Sequence, residues 1–408
     1  MPAKPFAAIV TVGTELVTGQ RLDTNGAEIA SALLVAGFAV VEMLSVADDA
    51  ARLALHLKRL TDECAVVIVT GGLGPTHDDI TRDAASHALR KPLLRDASIE
   101  CALAGIISRH RHPDAAEQVL TQADIIEGAT VIAPTTGTAP GQIIPTATGY
   151  LVLLPGPPSE MRPMLADFLN AHGSATPPVR LRSSGVSESD AQLAAQRVLG
   201  DRADVGLTVL AAPADVEVVL FDEGAGATEL TRLGELVREA LGDACYSSDG
   251  SSMAETVIRL ARERGVRIAC AESCTGGKIA AALTDVPGSS EVFLGGVVSY
   301  SNEMKVASLG VMKGSIAQHG AVSEEVARAM AIGAAGVTGS AFAVSTTGIA
   351  GPTGGTPEKP VGLVWFGIRT PSGVMCERRE FFGDRDGVRT RATMYALNLL
   401  RQALLDDK

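Results

Sequence analysis

An α/β architecture is predicted for both ends of this 408-residue chain. Three observations carry the prediction: uninterrupted apolar runs of strand length, helical stretches between them, and glycine-rich turns directly after several runs. Residues 6–12 (FAAIVTV) show no polar alternation, which is how a strand buried on both faces must read. A helix is predicted from Thr24 to Ala36, stopped by Gly37. A strand at 38–46, a helix at 48–62 and the strand AVVIVT at 65–70 follow. Strands separated by helices of this length form right-handed βαβ units around a parallel sheet. YLVLLP at 150–155 reads as another strand of that sheet, with a helix from Ser159 to Asn170. The first domain is therefore placed at 1–172.

The breaker-rich stretch HGSATPP marks a change of texture. After it come a strand at 179–183, a helix at 187–199, strands at 205–210 and 215–221, and a helix at 226–241. Residues 173–250 are read as a small α+β linker or dimerisation module. The third domain, 251–408, opens on a capping box, Ser252 to Glu255, whose helix ends at Gly265. VRIACA at 266–271 is a strand running straight into ESCTGG, and a helix is expected from Gly277. Further strands are expected at 292–300, 341–346 and 361–369, with helices at 323–335 and 387–405.

Composition restricts the function. The chain is 46% apolar and 20% charged, which excludes disorder. Its apolar start, Pro5 to Val12, is much shorter than the ~20 residues of a membrane span and lacks the features of an export signal. A cytoplasmic protein without membrane attachment is expected. Thirty-five basic residues against 47 acidic leave a net charge of −12. The first 250 residues carry −14 and the remainder +2, so direct nucleic-acid binding, which needs lysine and arginine on phosphates, is not expected. The six cysteines (Cys64, Cys101, Cys245, Cys270, Cys274 and Cys376) form no CxxC pair, which points to reduced thiols rather than a zinc site.

GGLGPTHDDIT follows a predicted buried strand. Gly71, Gly72 and Gly74 allow tight turning and close ligand approach, and a helix N-terminus just beyond them offers N–H groups to an anion, with Thr76 beside them. Asp78 and Asp79 suit a hard divalent cation that also binds phosphate oxygens, and His77 is a neighbouring acid, base or ligand. The bare alternative is a glycine turn with both aspartates capping the helix. VGTELVTGQRLDTN brings Glu15, Asp23 and Asn25 into another loop after a strand. TTGTAPGQ brings Thr138 and Gly141, and LPGPPSEM brings Glu160. Ligands of open parallel sheets bind beyond the carboxyl ends of the strands, so one shared pocket is expected.

AESCTGGKIAA places Ser273 at a strand–turn–helix junction, with the N–H groups of Thr275, Gly276 and Gly277 near the helix start. This suits a nucleophile beside an oxyanion hole, although a helix-capping serine reads the same way. Beyond residue 250 the only histidine is His319, in a stretch that reads as loop. A lysine is then the candidate base. Lys305, at the end of GGVVSYSNEMK, would serve if a dry pocket lowered its pKa, with Tyr300 orienting it or relaying a proton. Cys274 is the rival nucleophile. A phosphate on the substrate would be held by Thr347, Gly348 and Gly351 of the TTGIAG loop, or by Arg385 or Arg389. Either arginine could instead be a structural ion-pair partner.

These motifs carry a resemblance. GTEL, DTN, GGLGPT, TGTAPG and LPGPP in the first domain, and AESCTGG, SYSNEMK, TTGIAGPTGGT and FFGDRDGVR in the third, resemble the CinA family, competence/damage-inducible protein A. The resemblance implies an N-terminal molybdopterin-binding-like three-layer α/β domain and a C-terminal α/β nicotinamide-nucleotide amidase domain. The family's catalytic Ser, Tyr and Lys fall on Ser273, Tyr300 and Lys305. The implied reactions are deamidation of nicotinamide mononucleotide without a cofactor, and hydrolysis of ADP-ribose to AMP and ribose 5-phosphate with a divalent metal (Mg or Co). The metal candidates are Asp78, Asp79, Glu15 and Asp23, and a homodimer is expected. The other readings are molybdopterin handling by the first domain and a non-catalytic competence or DNA-repair accessory.

Overall fold

The computed structural model describes residues 4–107, 113–173 and 176–406. It divides into two compact units, Met1–Pro177 and Pro178–Lys408. In the first, Phe6–Val12, Ala39–Val46, Val66–Thr70 and Tyr150–Leu154 are parallel neighbours, with Phe6–Val12 between the two strands that follow it in the chain. The parallel sheet expected from sequence is completed by antiparallel strands that were not foreseen, Gly141–Pro145 and Thr130–Ile132. Helices cover both faces. The helix Ala50–Glu63 buries Leu53, Leu57 and Leu60 against Val67 and Val69, and Thr24–Val35 and Pro158–His172 bury Ile29, Leu33 and Phe168 against Ile9 and Ile68 on the other side. This is the three-layer arrangement that strands apolar on both faces require.

The second unit holds two sheets. Val205–Ala212, Asp215–Asp222, Val179–Ser183 and Cys245–Ser247 form an antiparallel sheet with a core of its own, under helices Glu188–Leu199 and Ala227–Leu241. The other is a five-stranded mixed sheet. Ile268–Glu272 lies at its parallel core between Phe293–Val298 and Phe342–Gly348, and the antiparallel strands Leu363–Thr370 and Gly373–Glu380 extend it. The last strand escapes sequence reading because GVMCERRE is half charged and lies on an edge, where little is buried. Residues 178–250, placed by sequence in a module separate from 251–408, lie in one compact unit with them; Arg401 near the C-terminus reaches back to the Asp243 carbonyl at 3.3 Å. The capping box forms as expected, with reciprocal Ser252–Glu255 bonds opening the helix Met253–Glu263. His319, expected in a loop, instead closes the helix Lys313–His319. Among the described residues no helix is long and apolar enough to cross a membrane.

Candidate functional site

In the second unit, the strand Ile268–Glu272 delivers Ser273 to a pocket of about 210 Å³. Just beyond the end of the strand Phe293–Val298, Ser299 is fully buried, its N–H donating to the Glu272 carbonyl at 2.8 Å, while Tyr300 is 61% exposed. The helix Asn302–Leu309, capped by Ser301, then brings Lys305 back under the pocket, where it is 1% exposed. Its Nζ donates to Ser273 Oγ at 3.0 Å and to the Ser299 carbonyl at 2.8 Å, and lies 3.4 Å from the Tyr300 carbonyl. Burial holds the Lys305 ammonium below the ordinary lysine range, opposed by the neighbouring Cys274 thiol. A buried lysine whose ammonium form is disfavoured, within hydrogen-bond reach of a serine hydroxyl, has the geometry to act as a base toward it.

Several expected roles change. The Tyr300 hydroxyl accepts a bond from Arg385 Nη2 at 2.9 Å; only its main chain faces Lys305. The reason is that Ser299 is held inward by its bond to the Glu272 carbonyl, while the next residue, past the end of the strand, lies exposed. Arg385 also donates to the Gly351 carbonyl at 2.8 Å and, with Tyr300, lines the pocket. Arg389 does not line this pocket; its guanidinium bonds the Cys274 and Thr275 carbonyls at 3.2 and 2.8 Å. Of the N–H groups expected at the oxyanion, Gly276 donates to the Ser273 carbonyl at 3.1 Å and Gly277 to Glu272 at 2.9 Å. The Thr275 N–H finds no oxygen acceptor among the described residues, but Thr275 is fully buried and outside the pocket lining. Thr347 and Gly348 line the pocket at a strand end, yet the Thr347 hydroxyl is committed to the Ala321 carbonyl at 2.7 Å.

Cys274 is buried and its thiol is pushed up to about 12 by that burial. A thiol held protonated is a poor nucleophile. Cys274→Ala is therefore expected to retain any Ser273-dependent activity within a few-fold, and iodoacetamide should not inactivate the wild type; loss of activity on treatment, absent in Cys274→Ala, would overturn this.

Sequence reading passed over Glu272. This carboxylate is fully buried and accepts from the N–H groups of Gly277, Ile279 and Ala280 at 2.9, 3.2 and 2.8 Å, so it caps the helix that follows the serine turn. The available signal was a lone acidic residue ending an otherwise apolar strand. Asn302, Ala321 and Val322 also line the pocket and were not anticipated.

In the first unit the expected single pocket resolves into two. Glu15, Asp23, Asn25 and Gly71 line a cavity of about 800 Å³ with Thr70, Arg21 and Gly156. Thr76, His77 and Asp79 line another of about 300 Å³ with Arg82, Asp83 and Asp124. The four carboxylates expected at a metal do not converge, and among the described residues no group of three or more His, Cys, Asp or Glu is placed to hold one. Asp79 accepts from the Gly74 N–H, the Thr76 N–H and the Thr76 hydroxyl, all at 2.7 Å. Asp78 pairs with His77 at 2.9 Å on the surface. Asp23 caps the helix Thr24–Val35 through the Gly26 N–H at 2.8 Å and accepts from Thr11 Oγ1 at 2.9 Å. The Glu15 side chain has no partner among the described residues. Glu15 lies on the short helix Thr14–Val17, not in the loop expected there; an ion shared with substrate phosphates needs only one or two carboxylates, so the cavity lined by Glu15 and Asp23 fits such an ion and the 78–79 pair does not.

The glycines are also sorted by packing. Gly71 has φ +100 and its missing Cβ would sit 2.4 Å from the Val12 carbonyl; Gly72 has φ +66 and abuts the Thr81 hydroxyl. Both let two strand ends meet at the cavity. Gly141 is a buried strand residue against Met164 and the Leu153 carbonyl and lines neither cavity. Thr138 lines neither cavity. Asn25, expected in a loop, opens the helix Thr24–Val35 and donates to the Gly156 carbonyl at 2.7 Å. Arg82, nearly buried, braces the glycine loop through the Leu73 and Gly74 carbonyls at 2.6 and 3.0 Å; its charge was invisible as a structural element in sequence.

Comparison with known proteins agrees with this division. Residues 8–173 match the "Probable molybdopterin binding domain" family and residues 250–404 the "CinA C-terminal domain" family. A CinA-like protein of Geobacter metallireducens is 40% identical over 413 residues, covering 98% of this chain and 99% of that protein. The CinA-like protein of Solibacter usitatus is 37% identical, covering 98% of each. A solved structure, the competence/damage inducible protein CihA from Agrobacterium tumefaciens, is 40% identical over 37% of this chain and 93% of its own, with a TM-score of 0.36. With full-length relatives at this identity, the chain belongs to the CinA family of competence/damage-inducible proteins.

Proposed function

We propose that the C-terminal portion deamidates nicotinamide mononucleotide, with Ser273 as nucleophile and Lys305 as base. The observation that carries this reading is the 3.0 Å contact between the Lys305 Nζ and Ser273 Oγ, made by a buried lysine whose ammonium form is disfavoured. The substrate comes from the CinA resemblance of the AESCTGG, SYSNEMK and GDRDGVR segments. Neutral Lys305 takes the Ser273 proton as Oγ bonds to the carboxamide carbon. The carbonyl π pair moves onto oxygen, facing the N–H of Cys274, the residue after the nucleophile. Collapse of this intermediate breaks the C–N bond, and the proton on Lys305 leaves with the nitrogen as ammonia. Water, deprotonated by Lys305, then cleaves the ester and returns the serine with nicotinate mononucleotide. Arg385, at the pocket with two donors directed at Tyr300 and Gly351, is the candidate phosphate anchor. Purified protein incubated with nicotinamide mononucleotide should release ammonia in step with nicotinate mononucleotide; no release would end this reading.

For the N-terminal portion we propose metal-dependent hydrolysis of ADP-ribose to AMP and ribose 5-phosphate in the cavity lined by Glu15 and Asp23. A divalent ion bound there would neutralise the diphosphate and activate water. Glu15, the carboxylate without an internal partner, is the residue expected to hold it, with Asp23 beside it. Glu15→Gln should lower AMP release at least about tenfold at low metal and weaken metal binding read by calorimetry. Unchanged turnover and binding would overturn the assignment, and molybdopterin retention without turnover would favour the alternative ligand.

A further inference from the structure

We propose that Arg389 is a positioning residue for oxyanion stabilisation, acting on the Cys274 N–H through two peptide groups. The inference rests on Ser273 being the nucleophile. The guanidinium, carried by the C-terminal helix Arg385–Asp406, donates from Nη2 to the Thr275 carbonyl at 2.8 Å. That carbonyl shares its peptide group with the Gly276 N–H, which donates to the Ser273 carbonyl at 3.1 Å. The Ser273 carbonyl in turn shares its peptide group with the Cys274 N–H. Cys274 lines the pocket beside Ser273, and its N–H donates to no oxygen among the described residues. Each amide in such a chain is polarised by the one before it, because a donor on the carbonyl draws electron density from the peptide nitrogen. A full positive charge at one end therefore strengthens the N–H at the other, that of the residue after the nucleophile, where an oxyanion hole would take up the developing negative charge.

Two features show that this chain is built. Gly276 has φ +58, and a Cβ there would lie 3.1 Å from Arg389 Nη2, so glycine is needed both for the turn and for the approach of the guanidinium. Arg389 Nε also bonds the Cys274 carbonyl at 3.2 Å, fixing the planar group across two successive peptides as a single ammonium would not. With these bonds made to the turn, Arg389 is not directed at substrate phosphate.

The test uses the full chain and two readouts. The first is the rate at which a serine-directed alkyl fluorophosphonate labels Ser273, losing fluoride while Lys305 takes the hydroxyl proton; its phosphoryl oxygen needs the same stabilisation and no nucleotide. The second is kcat and KM for nicotinamide mononucleotide. Arg389→Met should slow labelling about tenfold, short of the 10²–10³ lost with a whole oxyanion donor. It should lower kcat similarly with KM within about twofold, and added guanidinium ion should restore part of the rate. Arg389→Lys should retain more than Arg389→Met. Labelling at the wild-type rate, or a rise in KM with kcat unchanged, overturns the proposal; the second result would make Arg389 a substrate anchor. If the wild type labels at Ser273 but does not turn over nicotinamide mononucleotide, the proposed substrate fails while the labelling comparison still decides the role of Arg389.

Discussion

Ser273→Ala is expected to lower ammonia release from nicotinamide mononucleotide by at least about a thousandfold, because removing the nucleophile of a coupled catalytic unit removes nearly all that the unit contributes. Lys305→Met should lose a comparable amount. Its carbonyl and hydroxyl partners would be left without their donor, but the cavity would keep an apolar chain of similar length. The effect of pH separates a base from a structural lysine. The reaction needs neutral Lys305, and burial shifts its titration below the ordinary lysine value. The kcat should therefore fall as pH drops through this depressed pKa, when Nζ becomes an ammonium and can no longer accept the Ser273 proton. It should reach a plateau at a pH below the usual lysine range. A rate that keeps rising up to the ordinary lysine pKa, or Lys305→Met turning over at the wild-type rate, would remove Lys305 from the role of base.

Glu272→Ala should be the most destabilising single change near this site, by about 3–5 kcal/mol. It leaves three N–H groups at the helix start without their acceptor, one of them buried and two half-buried, at about 1–3 kcal/mol for each that stays unsatisfied. Trp365, the only tryptophan, lies in the same five-stranded sheet, so its fluorescence in a denaturant titration reports on this domain alone. Glu272→Gln keeps one acceptor oxygen but turns an amide NH₂ toward N–H donors, and should fall between wild type and alanine. A loss below 1 kcal/mol for Glu272→Ala would mean that the capping bonds contribute little.

Much of the fold was legible because its elements are strongly patterned. The continuous apolar runs at 6–12 and 65–70 could be satisfied only by a sheet covered on both faces, and they are the buried centre of one. The Ser252–Glu255 box announced its helix through local bonds alone. Short or charged edge strands such as Thr130–Ile132 and Gly373–Glu380 carry no comparable signal, because a strand with one edge and much of its surface in water needs neither apolar continuity nor strict alternation.

Sequence by itself determined the central buried strands, that a serine follows one of them at a glycine turn, and that lysine rather than histidine is the candidate base. Those conclusions follow from residue type and short-range spacing. Tertiary structure alone decided the partners. Tyr300 and Lys305 are five residues apart, yet the tyrosine, just past the end of its strand, lies outward against Arg385 and the next helix turns the lysine in to Ser273. Arg389 reaches carbonyls more than a hundred residues away, and Asp79 is absorbed by its own loop while Glu15 and Asp23 share a cavity. A side chain's chemistry is written in its residue type. Its direction and its competing hydrogen bonds are set by packing between distant segments, and those decide whether it faces a ligand or holds the chain in place.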